Sequence, residues 1–430
     1  MKRVAAAAAG ALLLAACQDD ATQPLAPATQ APLAAAAAQP QSGDFVAGQV
    51  IVRFRPGADA AGIASAHGGS VGRELLESVR LVKVPAGREL AVASALSHNP
   101  NVVYAEPDYI RQLAAAPSDR YFGYKWDLHN DGTINNSTGA FVANTGKVDA
   151  DIDWLEAYEQ LGSFSGSAVV GIIDTGINRN HEEFSGGRVL AGYDFLNNDA
   201  DPADDHGHGT HVAGTAAAPA NNAGVPGVAY GANIKILPVK VCDGNGCPSS
   251  AIISGIRYAA DQGAQVINLS LGGRFGSTAE QDALKYALGK NTLPFCASGN
   301  DRASSVSYPA AFPECVAVGA TDWNDTRASY SNRGTALDIA APGGDSENRN
   351  GYSYILASGY QGDYVFMAGT SMATPQAAGL GALLHALGVT GASNIRARIE
   401  ATVDDLGTAG KDTDFGFGRI NVYKAINNIR

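Results

Sequence analysis

Hydrophobic positions along the chain fall into two patterns. Between Phe45 and Tyr109 they come in short units. FVAGQVIVRF (45–54) alternates apolar and polar residues, as a half-buried strand does. Residues 58 to 68 suit a helix, LVKVPA (81–86) a strand, and residues 87 to 98 a second helix that ends near Asn99-Pro100. NVVYAEPDY (101–109) reads as a last strand. This spacing predicts a compact α/β unit of ferredoxin-like type. Beyond about residue 119 the pattern changes to longer apolar runs. Ala168 to Ile173 is continuously apolar and rich in Val and Ile, as in a strand buried on both faces of a parallel sheet. AQVINLSLGG (264–273) and LPFCASGN (293–300) read as further strands. Val212 to Ala218 is small and apolar and suits a tightly buried helix. A long helix is predicted from Ser371 to Leu387, with Pro375 tolerated in its first turn.

Three polar side chains stand where these runs end. Asp174 follows the strand at 168–173, and ligands collect at that end of an open α/β sheet. His208 lies in HGHGTHVAG (206–214), between glycines that permit close backbone approach to a ligand. Ser371 lies in GTSMATP (369–375), at the mouth of the long helix, where the backbone field favours negative charge. A Ser hydroxyl becomes a competent nucleophile only when a base takes its proton. His208 can be that base, and Asp174 can orient the imidazole. Each residue alone has a plainer reading: a turn Asp, a solvated His, a helix-capping Ser. Their joint presence favours chemistry.

The chain order Asp, His, Ser, with these three motifs, resembles the subtilisin-like serine peptidases. No Gly-x-Ser-x-Gly elbow surrounds Ser371, which argues against an α/β-hydrolase esterase. The resemblance covers most of the chain. It implies a subtilisin-like three-layer α/β fold with a central parallel sheet, preceded by the ferredoxin-like unit as an inhibitory propeptide. It selects the first His of His208-Gly209-Thr210-His211 as the base and leaves His211 and His206 as structural or exposed. Asn300 matches the family Asn that donates to the oxyanion. Ser270, Leu271 and Gly272 match the segment that pairs with substrate backbone. Ala297, Ser298 and Gly299 match one wall of the pocket for P1, the residue before the scissile bond, with residues near Ser307 at its base. Asp301 stands at the rim. Broad cleavage after apolar or aromatic residues is expected, with some Lys admitted through Asp301.

The resemblance also implies structural calcium. A first site would use Glu183, where relatives carry Asp, with the Asn221 side chain and carbonyls of Pro219, Ala223 and Val225. A second would use Asp338 with carbonyls near Pro313 and Glu314. The propeptide motifs are Val50 to Phe54 and Asn101 to Asp108. Apolar residues at P4 and P1 in Ile110-Arg111-Gln112-Leu113 place autocleavage near Leu113, with Ala114 to Ala116 as alternatives. The expected domains are therefore 44–113 and 119–430.

Composition narrows the remaining choices. A chain of 430 residues with 45% apolar content can bury a large core, and a net charge of −12 argues against nucleic-acid binding. Lys2 and Arg3 precede an Ala/Leu run ending in Leu14-Ala15-Ala16-Cys17. This is the shape of an export signal over residues 1–17, too short to span a membrane. Leu-Ala-Ala-Cys also resembles a bacterial lipobox, in which Cys17 takes the lipid; an ordinary signal with an incidental Cys is the alternative. Residues 18–43, rich in Ala, Pro, Gln and Thr, read as a disordered tether. A secreted or cell-envelope location follows. Any membrane anchorage would precede maturation, and a monomer is expected.

Export permits disulfides. Cys242 with Cys247 would close the turn Asp243 to Gly246, and Cys296 and Cys315 could pair across two strand-like runs. Metal binding is the weaker reading of these cysteines, which lack paired Cys-x-x-Cys units. The leading expectation is a precursor serine endopeptidase acting on protein substrates, with its own propeptide as inhibitor. The alternatives are a non-catalytic peptide-binding protein and an esterase on the same fold.

Overall fold

The computed structural model describes residues 45–109, 116–135, 141–143, 146–345 and 353–430. The export signal, Cys17, the tether and the expected cleavage point at Leu113 lie outside them.

Residues 45–109 form a four-stranded antiparallel sheet. Phe45–Phe54 lies between Val79–Lys83 and Val102–Tyr109, and Ser70–Leu76 forms the edge beyond Val79–Lys83. Helices Ala60–Ala66 and Glu89–Ser97 cover one face. They bury Ala64, Val92, Ala93 and Leu96 against Val50, Val52, Phe54 and Val82. The edge strand was not anticipated. Its sequence, SVGRELL, is half-buried or exposed throughout and offers no apolar alternation to read.

The larger part is built on seven parallel strands. Their spatial order is Ile339–Pro342, Val316–Thr321, Leu293–Ala297, Val266–Leu269, Ala168–Asp174, Ile234–Lys240 and Tyr193–Asp194. Adjacent residues of one strand face opposite layers. Ile172 points to a core shared with helices His208–Ala217 and Thr370–Ala386. Ile173 points to a core shared with Ser249–Asp261 and Thr278–Gly289. This makes the three layers. The helices His208–Ala217 and Thr370–Ala386 touch closely because Gly379 has no side chain. A Cβ there would lie 2.5 Å from the Ala216 carbonyl oxygen.

The strand Leu293–Ala297 carries Cys296 into a disulfide with Cys315, and Cys242 joins Cys247 across the expected turn. Asp174 ends the strand Ala168–Asp174, and its carbonyl accepts hydrogen bonds from the amides of Val241 and Cys242. The topology thus gathers Asp174, Ser270 and Asn300 at the carboxyl ends of neighbouring strands and brings two helix starts over them.

Candidate active site

Asp174 is buried, with 1% exposure. Its Oδ1 accepts from the Thr175 amide at 2.8 Å and from His208 Nδ1 at 2.7 Å. That bond fixes the tautomer: Nδ1 carries hydrogen toward the carboxylate, and Nε2 is left to act as a base. His208 opens its helix, with Gly207 before it in the left-handed region that glycine tolerates. Burial disfavours charge on the ring. The attraction and hydrogen bond of Asp174, with a further pull from Asp204, outweigh it and hold the His208 pKa above the usual imidazole value. Asp204 was not singled out from sequence, although it stands four residues before His208. It accepts from Thr175 Oγ1, the Gly207 amide and both the amide and hydroxyl of Thr210. It therefore ties the Asp174 turn to the His208 turn.

Ser371 lies in the first turn of Thr370–Ala386. Its hydroxyl donates to the Ser270 carbonyl at 3.3 Å, and Ser270 Oγ donates back to the Ser371 carbonyl at 2.9 Å. Among the described residues no hydrogen bond joins Ser371 Oγ to His208 Nε2. Such catalytic bonds commonly tighten only when substrate is present.

Asn300 has its Oδ1 engaged by the amide and hydroxyl of Thr370, at 2.9 and 2.8 Å. The Nδ2 is thereby turned the other way, into the site. A Cβ built on Gly369 would stand 3.5 Å from Asn300 Nδ2 and 3.6 Å from the Ser371 amide. The bare Gly369 leaves a gap faced by two N–H donors, which is what a developing oxyanion needs. Thr370 was not anticipated as the residue that aims Asn300.

The expected substrate edge is open. Gly273 exchanges two backbone hydrogen bonds, each 2.8 Å, with Tyr308. Successive residues of an extended chain point their N–H and C=O groups to opposite edges. Gly272 therefore presents its backbone groups to the other edge, where substrate can pair. On the pocket wall, Gly299 faces Ser307 and Asn332, whose side chains leave no room for a Cβ. Asn332, also missed, donates to Ser298 O and Ser307 Oγ and accepts from the amides of Asp301 and Ala303. His211 is buried and pushed down to about 3 by burial first, then by Lys125 and His208. Its neutral ring donates through Nε2 to the carbonyls of Ile355 and Val365. His206 is exposed.

The first expected cation site comes together. Glu183 is fully buried; its Oε1 accepts from the Val225 amide and Tyr364 hydroxyl, while Oε2 has no partner. Burial pushes its carboxyl up to about 7. Asp119, which the sequence reading left out, accepts from the Asn221 amide through Oδ1 and has a buried, unpartnered Oδ2. Two buried carboxylate oxygens without partners beside Pro219, Asn221, Ala223 and Val225 fit a hard divalent cation. The second expected site is corrected. Arg396 donates to the carbonyls of Pro313 and Cys315 and pairs with Asp338 at 3.0 Å, and Lys411 pairs with Asp338 at 2.9 Å. A guanidinium and an ammonium already supply the positive charge there. A third acidic group, Asp151, Asp153 and Glu156, has carboxylate oxygens within 4.8 Å of one another.

Residues 165–418 match the subtilase family, and residues 31–108 match the fervidolysin N-terminal prodomain. A thermophilic serine proteinase of Bacillus sp. (strain AK1) is 39% identical over 90% of this chain and 89% of its own length. Thermitase of Thermoactinomyces vulgaris is 43% identical over 60% of this chain and 88% of its own length. Among solved structures, a protease of Pseudoalteromonas arctica is similar with a TM-score of 0.60. It is 28% identical, over 74% of this chain and all of that one.

Proposed function

We propose a mechanism and a life cycle for this chain from one premise: it belongs to the subtilase family and is a serine endopeptidase built with an N-terminal prodomain. In this reading His208 Nε2 removes the Ser371 proton as Oγ attacks the scissile carbonyl. Asp174 holds the ring and stabilises the imidazolium. Asn300 Nδ2 and the Ser371 amide receive the oxyanion. His208 then gives the proton to the leaving amine, and water hydrolyses the acyl-enzyme by the same steps in reverse. The 2.7 Å bond between His208 Nδ1 and Asp174 carries this assignment.

Ser270, Leu271 and Gly272 pair with substrate backbone, and Ala297, Ser298 and Gly299 wall the P1 pocket. That wall is uncharged, which favours broad apolar or aromatic P1 specificity. Residues 44–113 act as inhibitory propeptide and 119–430 as the mature peptidase. Maturation near Leu113 would release the peptidase from any lipid on Cys17. Two disulfides suit an oxidising, extracytoplasmic setting. Asp119, Glu183, Asn221 and the carbonyls of Pro219, Ala223 and Val225 would hold calcium. The ion would neutralise buried carboxylates and stabilise the folded state alone.

A sulfonyl fluoride probe tests the nucleophile. One equivalent should add one label, on the peptide containing Ser371, and end casein hydrolysis. Labelling elsewhere with activity retained would overturn the assignment. P1 profiling that returned a strict acidic or basic preference would overturn the specificity.

A further inference from the structure

We propose that Asn268 is a positioning residue that aims the Ser371 nucleophile through the hydroxyl of Ser270. The inference rests on the peptidase reading above and concerns how that site is held. Its starting point is Pro375, which stands inside the helix Thr370–Ala386. In an α-helix the carbonyl of Ser371 would accept from the amide four residues on. That residue is Pro375, which has no N–H, and its ring crowds the same carbonyl. The carbonyl therefore needs another donor. Ser270 supplies it: its Oγ donates to the Ser371 carbonyl at 2.9 Å, while the Ser371 hydroxyl donates to the Ser270 carbonyl at 3.3 Å. The nucleophilic residue is thus tied to Ser270 by both its backbone and its side chain.

Asn268 decides where the Ser270 hydroxyl points. Ser270 has one hydrogen to give, and the Ser371 carbonyl can only accept it. Asn268 Nδ2, 2.9 Å from Ser270 Oγ, fills the acceptor side of that oxygen and leaves the hydrogen directed at Ser371. The same reasoning fixes the amide orientation, since Oδ1 in that place would compete for the hydrogen. Asn268 lies on the strand Val266–Leu269 and is fully buried. Val266, two residues before it, faces the core shared with Thr370–Ala386, so Asn268 points into that apolar layer. A polar side chain is costly there, and its Oδ1 has no partner among the described residues. Leu at this position would fill the layer without that cost. What the amide adds is its bond to Ser270, and Pro375 is what makes that bond necessary.

The test is a double-mutant cycle on the full chain after maturation. Rates are read on a peptide anilide and counted per Ser371 labelled by a sulfonyl fluoride. Asn268→Leu lets the Ser270 hydroxyl turn away, and a misplaced nucleophile should lower kcat on the order of tenfold, with KM within about twofold. Ser270→Ala keeps its backbone and should lose a similar factor. The two together should lose no more than the larger single loss, because both act on one carbonyl. Pro375→Ala restores an N–H four residues after Ser371, so in that background Asn268→Leu should cost less than about threefold. A loss below about threefold in Asn268→Leu alone, or the same loss with and without Pro375, would overturn the proposal. A role confined to packing gives the second of these results. Should Asn268→Leu not mature, Ser270→Ala with and without Pro375→Ala reads the same carbonyl. Wild type that leaves the anilide uncleaved would instead count against the peptidase reading.

Discussion

The gap at Gly369 gives a sharp prediction. A methyl placed there lies 3.5 Å from Asn300 Nδ2 and 3.6 Å from the Ser371 amide, which is ordinary van der Waals contact with the protein. Space is therefore available, but Gly369 sits at φ +157°, a backbone conformation that side chains adopt only under strain, so Gly369→Ala should fold with a lowered melting temperature. The same methyl occupies the gap in which an oxyanion, at ~2.9 Å from each donor, must sit. One such donor is worth about 3 kcal/mol of transition-state stabilisation. Obstructing two that act on the same oxygen should cost at least that much, and less than the sum, because they work as a unit. We expect kcat to fall by roughly 10³-fold or more, with a smaller change in KM. The assay is steady-state hydrolysis of a peptide anilide by matured enzyme, beside a melting curve. Should self-processing fail in the variant, the prodomain can be cut in trans by wild type. Asn300→Ala should add little to Gly369→Ala if both act on one oxygen. A Gly369→Ala enzyme within tenfold of wild type would refute the placement of the oxyanion.

Other consequences follow from the buried charges. Chelation, or Asp119→Asn, should lower the melting temperature by several degrees and speed autolysis, because unpartnered carboxylates would lose their neutralising ion; unchanged stability in both would remove the calcium reading. Burial first, then the neighbouring Asp151 and Asp404, raise the Asp153 carboxyl from 3.8 to about 6. Folding stability from this group is fully present below the ordinary value and is lost as pH rises through about 6. Asp153→Asn should therefore stabilise above that pH, by on the order of 1 kcal/mol after solvent screening, and leave stability at pH 4 little changed; urea melts at several pH values read this. Because His208 must be neutral to act and its pKa is raised, activity should fall as pH drops through a value above the usual imidazole range. Asp174→Asn should move that limb to lower pH while reducing kcat on the order of 10⁴-fold; a limb that stays in place would separate it from His208.

The sequence made some parts of this molecule readable and left others hidden, for physical reasons. Ala168–Asp174 could be read because a strand buried on both faces must be apolar throughout. Asp174, His208 and Ser371 stand out as candidates because each lies at the end of a regular element inside a dense motif, whereas Asn300 is singled out by the family resemblance. Thr370, Asp204 and Asn332 could not. Thr370 and Asn332 act through hydrogen bonds to residues distant in sequence, and Asp204 through bonds both near, to Gly207 and Thr210, and far, to Thr175. Asp119 was missed for the same reason: its partner Asn221 lies 102 residues away. At Asp338 the family resemblance suggested a metal, where the structure places two basic side chains. The cations are Arg396, on the helix Ala392–Ala401, and Lys411, and no local pattern reports their packing against Asp338. The edge strand Ser70–Leu76 escaped because an edge strand need not alternate.

The most direct test of the central claim is intact mass with casein hydrolysis, measured on the exported wild-type chain beside Ser371→Ala. Loss of the residues up to about 113 and digestion of casein by wild type, with the variant full-length and inert, is the predicted result. Removal of the same segment from a purified Ser371→Ala chain that still digests casein would contradict it.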